Sequence, residues 1–119
     1  MGDEMGTPAI DLSTYNELKD TAGAEFVVEL VDTFVEEAPG MLSELRSART
    51  ASDADRFRRA AHSIKSNANT FGALALGALA RELELKGLAA EPAGDDPAID
   101  ALAAELARAG AELKGLCHG

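Results

Sequence analysis

"AAHSIKSNANTFGA", residues 60–73, carries both the architecture and the chemistry of this chain. Within it Ala60, Ala61, Ile64, Ala68 and Phe71 recur at helical spacings, and Phe57 extends the series upstream. On a helix advancing about 100° per residue these six fall inside an arc roughly 100° wide, which reads as a buried face. The spacing predicts a helix over 54–71, capped by Ser52 or Asp53 and ended by Gly72, a residue favoured just past a helix C-terminus. His62 lies about 140° from Phe57 on the same projection, nearly opposite the core. Its surface neighbours, three, four or seven positions away, are Asp55, Arg58, Arg59, Lys65, Ser66 and Asn69.

Working outward, Val27, Val31, Phe34, Ala38, Met41, Leu45 and Ala48 alternate spacings of four and three and predict a long helix over about 24–50. The stripe keeps its phase through Pro39, so one helix bent near Pro39 is expected rather than two. Ser13 is the expected cap of a short helix bearing Leu12, Tyr15 and Leu18 that stops between Asp20 and Gly23. Downstream, residues 73–88 place Leu76, Leu79 and Leu83 on one face, with Ala75, Gly77, Ala78 and Ala80 small enough for close packing. "EPAGDD" reads as a loop. Asp96 as cap and Pro97 in the first turn then start a last helix carrying Ile99, Leu102, Leu106, Ala109, Leu113 and Leu116. Four substantial helices on short loops imply an all-α, antiparallel up-down bundle with the short N-terminal helix as a lid. Residues 10–116 form one domain in this reading, and residues 1–9 a flexible tail.

Composition narrows the function. The chain has 119 residues and a formal charge of −10, from 21 acidic against 11 basic side chains. That balance argues against nucleic-acid partners, which call for a basic surface. The longest uncharged apolar-rich run, residues 71–80, is about half of the roughly 20 residues a membrane span needs. No signal-peptide pattern opens the chain and its single Cys117 has no partner for a disulfide, so a cytoplasmic protein is expected.

Three readings of His62 compete: an incidental histidine on a solvated face, a metal ligand, or a phosphoryl acceptor. A metal site needs converging ligands; the other histidine, His118, sits beside Cys117 in what reads as a frayed tail, so no metal is expected. A hydrolase needs nucleophile, base and orienting carboxylate in one pocket, and here the candidate sits on a convex helix without a glycine-rich phosphate loop. An exposed imidazole flanked by cations suits a group that receives phosphate from another protein's catalytic machinery. Glu36 and Glu37 read as a solvated face, Asp95 and Asp96 as a helix cap, and Met41 as core packing.

These residues resemble the histidine-containing phosphotransfer (HPt) domains of multistep phosphorelays. His62, Lys65 and Gly72 stand at the spacing of the family's H-x-x-K-G…G-A pattern. "LARELE" (79–84) is similar to the family's next helix and "FVVELVDTFVEEAPGMLSEL" to its first long one. The resemblance covers residues 10–116. It implies that His62 carries a phosphoryl group, on Nε2, taken from a receiver-domain aspartate and passed to another receiver. Lys65 and Ser66 would stabilise that group. Arg58, Arg59, Asn69, Phe57 and Phe71 would form the receiver docking surface, together with residues of the N-terminal helix. The chain would be a monomer, not an enzyme in its own right and without a cofactor of its own. Its partners would be response-regulator receiver domains, which bring magnesium, and a sensor histidine kinase. Position 66 departs from the pattern, with serine in place of glycine; its hydroxyl could bond the phosphoryl group or the imidazole. Two alternatives stand beside this reading. One is the phosphorylatable N-terminal domain of a chemotaxis-type histidine kinase, disfavoured because no kinase segment follows. The other is a helical adaptor that is never phosphorylated.

Overall fold

The chain's structure is a computed structural model describing residues 9–87 and 97–118. The three-four apolar spacings become five helices: α1 (Leu12–Ala22), α2 (Ala24–Thr50), α3 (Ala54–Phe71), α4 (Leu74–Lys86) and α5 (Pro97–His118). Helix α2 packs on α3, α3 on α4, α4 on α5 and α5 back on α2, a closed ring of four, while α1 lies across α2 and α3 as the lid. Neighbours run antiparallel: His62 meets Glu84 and Asn69 meets Gly77 across α3 and α4, while Arg46 meets Asp100 and Asp32 meets Lys114 across α2 and α5.

All six residues of the expected α3 arc are buried, none more than 8% exposed. They join Val27, Val31, Leu45, Leu76, Leu83, Ile99, Leu102 and Leu113 in one core, in which no polar or charged side chain is buried among the described residues. The α2 stripe is continuous through Pro39, as its unbroken phase implies. Met41 is half-buried against the core, and Glu36 and Glu37 are solvated.

The turns follow from local chemistry. Helix α3 ends with Gly72 in the left-handed region (φ 85°), its N–H donating to Asn69 O and the Ala73 N–H to Ala68 O, the paired bonds of a Schellman motif. The α2–α3 turn repeats the motif: Ser52 N–H donates to Arg49 O and Asp53 N–H to Ala48 O, with Ser52 at φ 55°. Asp53 then caps α3 by accepting from the Arg56 N–H. A serine in that conformation is strained, so Ser52→Gly is expected to stabilise the fold by about 0.5–1 kcal/mol, net of glycine's extra unfolded-state entropy. A higher urea midpoint at unchanged slope is the sign of it.

Several expectations are corrected. Asp11, not Ser13, caps α1: its carboxylate accepts from the Thr14 N–H and hydroxyl, and its own N–H donates to Gly72 O at 2.7 Å. That tertiary bond holds Asp11 extended, so the helix can start only after it. Ala9, assigned to the tail, is buried beside Ile10, whose N–H donates to the Glu112 carboxylate. In α4 only Gly77 and Ala80 of the four small residues face inward; Ala75 and Ala78 are exposed. Cys117 and His118 are not frayed: α5 continues through His118, Cys117 packs against the core, and His118 Nε2 lies 2.8 Å from Asp32 Oδ1. The remainder of the expected tail, the "EPAGDD" loop, Asp96 and Leu88 lie outside the described residues.

Candidate functional site

His62 stands on the outer face of α3, with 57% of its side chain accessible. Its neighbour is a residue that helical periodicity within α3 does not show. Glu84 of α4 lies 2.9 Å from His62 Nδ1 through Oε2 and 2.8 Å from Lys65 Nζ through Oε1. The juxtaposition follows from the α3–α4 hairpin. Its two-residue Gly72–Ala73 turn reverses the chain, so residues at nearly equal distances on either side of the turn face each other. Small residues then let the helices approach, and Asn69 Oδ1 occupies the space that a Cβ at Gly77 would fill.

The electrostatics of the triad are set by the carboxylate. Only a fifth of the Glu84 side chain is accessible, and the Lys65 ammonium, followed by the His62 ring, holds its carboxyl below the usual carboxylate range. Ionised Glu84 accepts only, so it favours the His62 tautomer with the proton on Nδ1, which leaves the Nε2 lone pair free. Lys65 keeps donors to spare, since an ammonium has three N–H bonds and Glu84 Oε1 is its recorded partner.

The other expected site residues divide. Arg58 and Arg59 are exposed one turn before His62. Arg58 pairs with Asp55 at 2.7 Å, and Arg59 Nε donates weakly to Asp55 O. Ser66 is exposed one turn after the histidine, its hydroxyl without a partner among the described residues; the imidazole Nδ1 is held by Glu84 instead. Asn69 is exposed but its side chain is set against α4 at Gly77. Phe57 and Phe71 are not on any surface. They are 1% and 3% exposed, and the Phe71 ring packs tilted against Phe34 with centroids 5.3 Å apart. Their place on the apolar arc of α3 points them into the bundle, so neither can meet a docking partner directly. Leu85, next to Glu84 and 68% exposed, is the apolar side chain that this region does present.

Four carboxylates are held below their ordinary range: Asp11 by Thr14, Asp32 chiefly by His118, Glu44 by Arg56 and Glu84 by Lys65. A lowered folded-state value means stability that is present above the ordinary carboxylate value, about 4, and is lost as pH falls through the lowered values. Relief of self-repulsion opposes this as the chain approaches its isoelectric point near 4.5. Urea midpoints are therefore expected to hold or rise slightly from pH 7 to about 4.5 and to fall below about pH 4. A midpoint still rising at pH 3 would contradict these pairings.

Comparison with known proteins agrees with the helical bundle. The Hpt domain family matches residues 29–112. A curated relative, Sensor protein TorS of Escherichia coli (strain K12), is 32% identical over 82 residues, which is 69% of this chain and 9% of that protein. The crystal structure of histidine-containing phosphotransfer protein B from Pseudomonas aeruginosa PAO1 superposes with a TM-score of 0.82 at 28% identity, covering 95% of this chain and 97% of the other. The chain belongs to the Hpt domain family and is, in class, a phosphotransfer carrier of phosphorelay signalling. Among the described residues no helix is long and apolar enough to cross a membrane.

Proposed function

We propose that His62 is the phosphoryl acceptor, and that the chain shuttles the group between receiver domains as a cytoplasmic monomer fed by a sensor histidine kinase. One observation carries the reading: an exposed imidazole whose Nδ1 is occupied by Glu84, so that Nε2 is the free nucleophile. In the transfer, the Nε2 lone pair attacks the phosphorus of a receiver's aspartyl phosphate. The N–P bond forms, the P–O bond to the acyl oxygen breaks, and the aspartate leaves as carboxylate. Positive charge developing on the ring is offset by Glu84 through the Nδ1–H, an arrangement that needs no reorganisation at the moment of reaction. Lys65, already anchored on Glu84, turns its remaining donors to the phosphoryl oxygens, and Arg58 and Arg59 add positive potential in a chain that is otherwise acidic.

The chain thus supplies a nucleophile and a docking face, while the aspartate and its magnesium belong to the receiver. Leu85, Ser66 and the exposed edge of α3 form that face, over a scaffold in which Phe57 and Phe71 serve as core. Incubation with a phosphorylated receiver domain tests the proposal against its alternatives. Label moving to the chain from the receiver supports it. Label arriving only from ATP with a kinase core favours the chemotaxis-kinase reading, and label from neither favours the adaptor.

A further inference from the structure

A metal is not expected while Cys117 and His118 read as a frayed tail, but both lie in the last turn of α5. Asp32 of α2 and Cys117 and His118 of α5 bring a carboxylate oxygen, a thiol sulfur and an imidazole nitrogen within 4.8 Å of one another. We propose that these three side chains bind a divalent transition-metal ion of the zinc class, with the fourth coordination position open to solvent.

Three arguments support the site. The donor set is borderline-soft: thiolate with imidazole selects zinc or cobalt over magnesium or calcium, which take oxygen ligands. The spacing is close to what is needed, since zinc bond lengths of about 2.0–2.3 Å place adjacent tetrahedral donors roughly 3.3–3.8 Å apart. Side-chain rotation closes that difference, because Asp32 and His118 are both partly exposed and already in contact at 2.8 Å. Two donors also sit in the last turn of a 22-residue helix, where the macrodipole favours a cation. The lysine beside them fits the same picture. Lys114 Nζ lies 3.3 Å from Asp32 Oδ1 and supplies the positive charge there, a place the metal would take over. On binding, the thiol releases its proton to solvent, the imidazole coordinates through a neutral nitrogen, and the Lys114 ammonium moves into water.

The untagged full chain is titrated with cobalt(II) alone. Expected are a thiolate-to-cobalt charge-transfer band in the near ultraviolet, saturation at one ion per chain, and displacement by zinc but not by magnesium. Cys117→Ser is expected to abolish the band. Asp32→Asn and His118→Gln are each expected to weaken binding tenfold or more, and Lys114→Gln to tighten it. His62→Gln is expected to leave it unchanged, which separates this site from the triad. Zinc should also raise the thermal midpoint of the wild type and not of Cys117→Ser, with circular dichroism showing both folded. Absence of the band, saturation at one ion per two chains, or affinity indifferent to both Asp32→Asn and His118→Gln would overturn the proposal.

Discussion

Glu84→Ala is expected to slow phosphoryl transfer to His62 by about 10- to 100-fold, by analogy with the loss of an outer partner that orients a metal-ligating histidine. Two effects combine. Without the carboxylate at 2.9 Å, nothing recorded in the structure holds the proton on Nδ1, so Nε2 is no longer kept free, and the charge that develops on the ring loses its counter-ion. Lys65 also loses its anchor at 2.8 Å and with it a fixed position for the phosphoryl oxygens. Glu84→Gln separates the two, because its amide oxygen can still accept from Nδ1–H while its neutral side chain no longer pairs with Lys65. An intermediate rate is expected for Gln. Nitrogen NMR of the His62 ring gives a readout independent of transfer: the Nδ1–H tautomer should dominate in wild type and in Glu84→Gln but not in Glu84→Ala. Wild-type rates in both variants would show that Glu84 has no part in the reaction.

The second large effect is on the fold. Gly72→Val is expected to destabilise the bundle by about 3 kcal/mol or more, lowering Tm by roughly 10 °C. At φ 85° a β-branched residue is strained, and any Cβ there would lie 2.7 Å from the Asp11 carbonyl oxygen, which is backbone and cannot swing away. The contact joins three elements, since the Gly72 carbonyl accepts from both Asp11 and Leu74. Yielding there shifts the lid and reorients α4, and α4 carries Glu84. Gly72→Ala should show the same strain with less bulk. Gly40→Ala is the contrast: Gly40 is inside α2, its Cβ would meet nothing within 4 Å, and the change should stabilise by about 0.5–1 kcal/mol. If Gly72→Val and Gly40→Ala melt alike, the close approach at Gly72 is not what fixes the turn.

These two residues also show how far sequence alone could reach. Gly72 was legible as a helix stop because local preference and the ending of the apolar stripe agreed there. The buried arc of α3 was legible for a similar reason, since six apolar residues at helical spacing define a face whatever they pack against. The same arc should have excluded Phe57 and Phe71 from a docking surface, and their assignment there set a resemblance above the periodicity. Glu84 is different in kind. It stands in "LARELE", quoted for its likeness to a helix, but nothing in that segment states its rotation about α4 or its register against α3. Both depend on the Gly72–Ala73 turn and on Gly77 admitting Asn69. Asp11 and Ser13 are both good caps two residues apart, and only a hydrogen bond to a residue 61 positions later on the chain decides between them. Cys117 and His118 carry no periodic signal of their own, and their partner Asp32 lies on another helix.

The assignment of His62 is tested most directly by locating the phosphoryl group itself. The chain is phosphorylated by a receiver domain and mapped by phosphorus–proton correlation NMR, with His62→Gln as control. The expected result is a single phosphoramidate on Nε2 of His62, lost on mild acid treatment and absent from the mutant. A phosphoryl group on Nδ1, or one on another side chain that survives in His62→Gln, would contradict it.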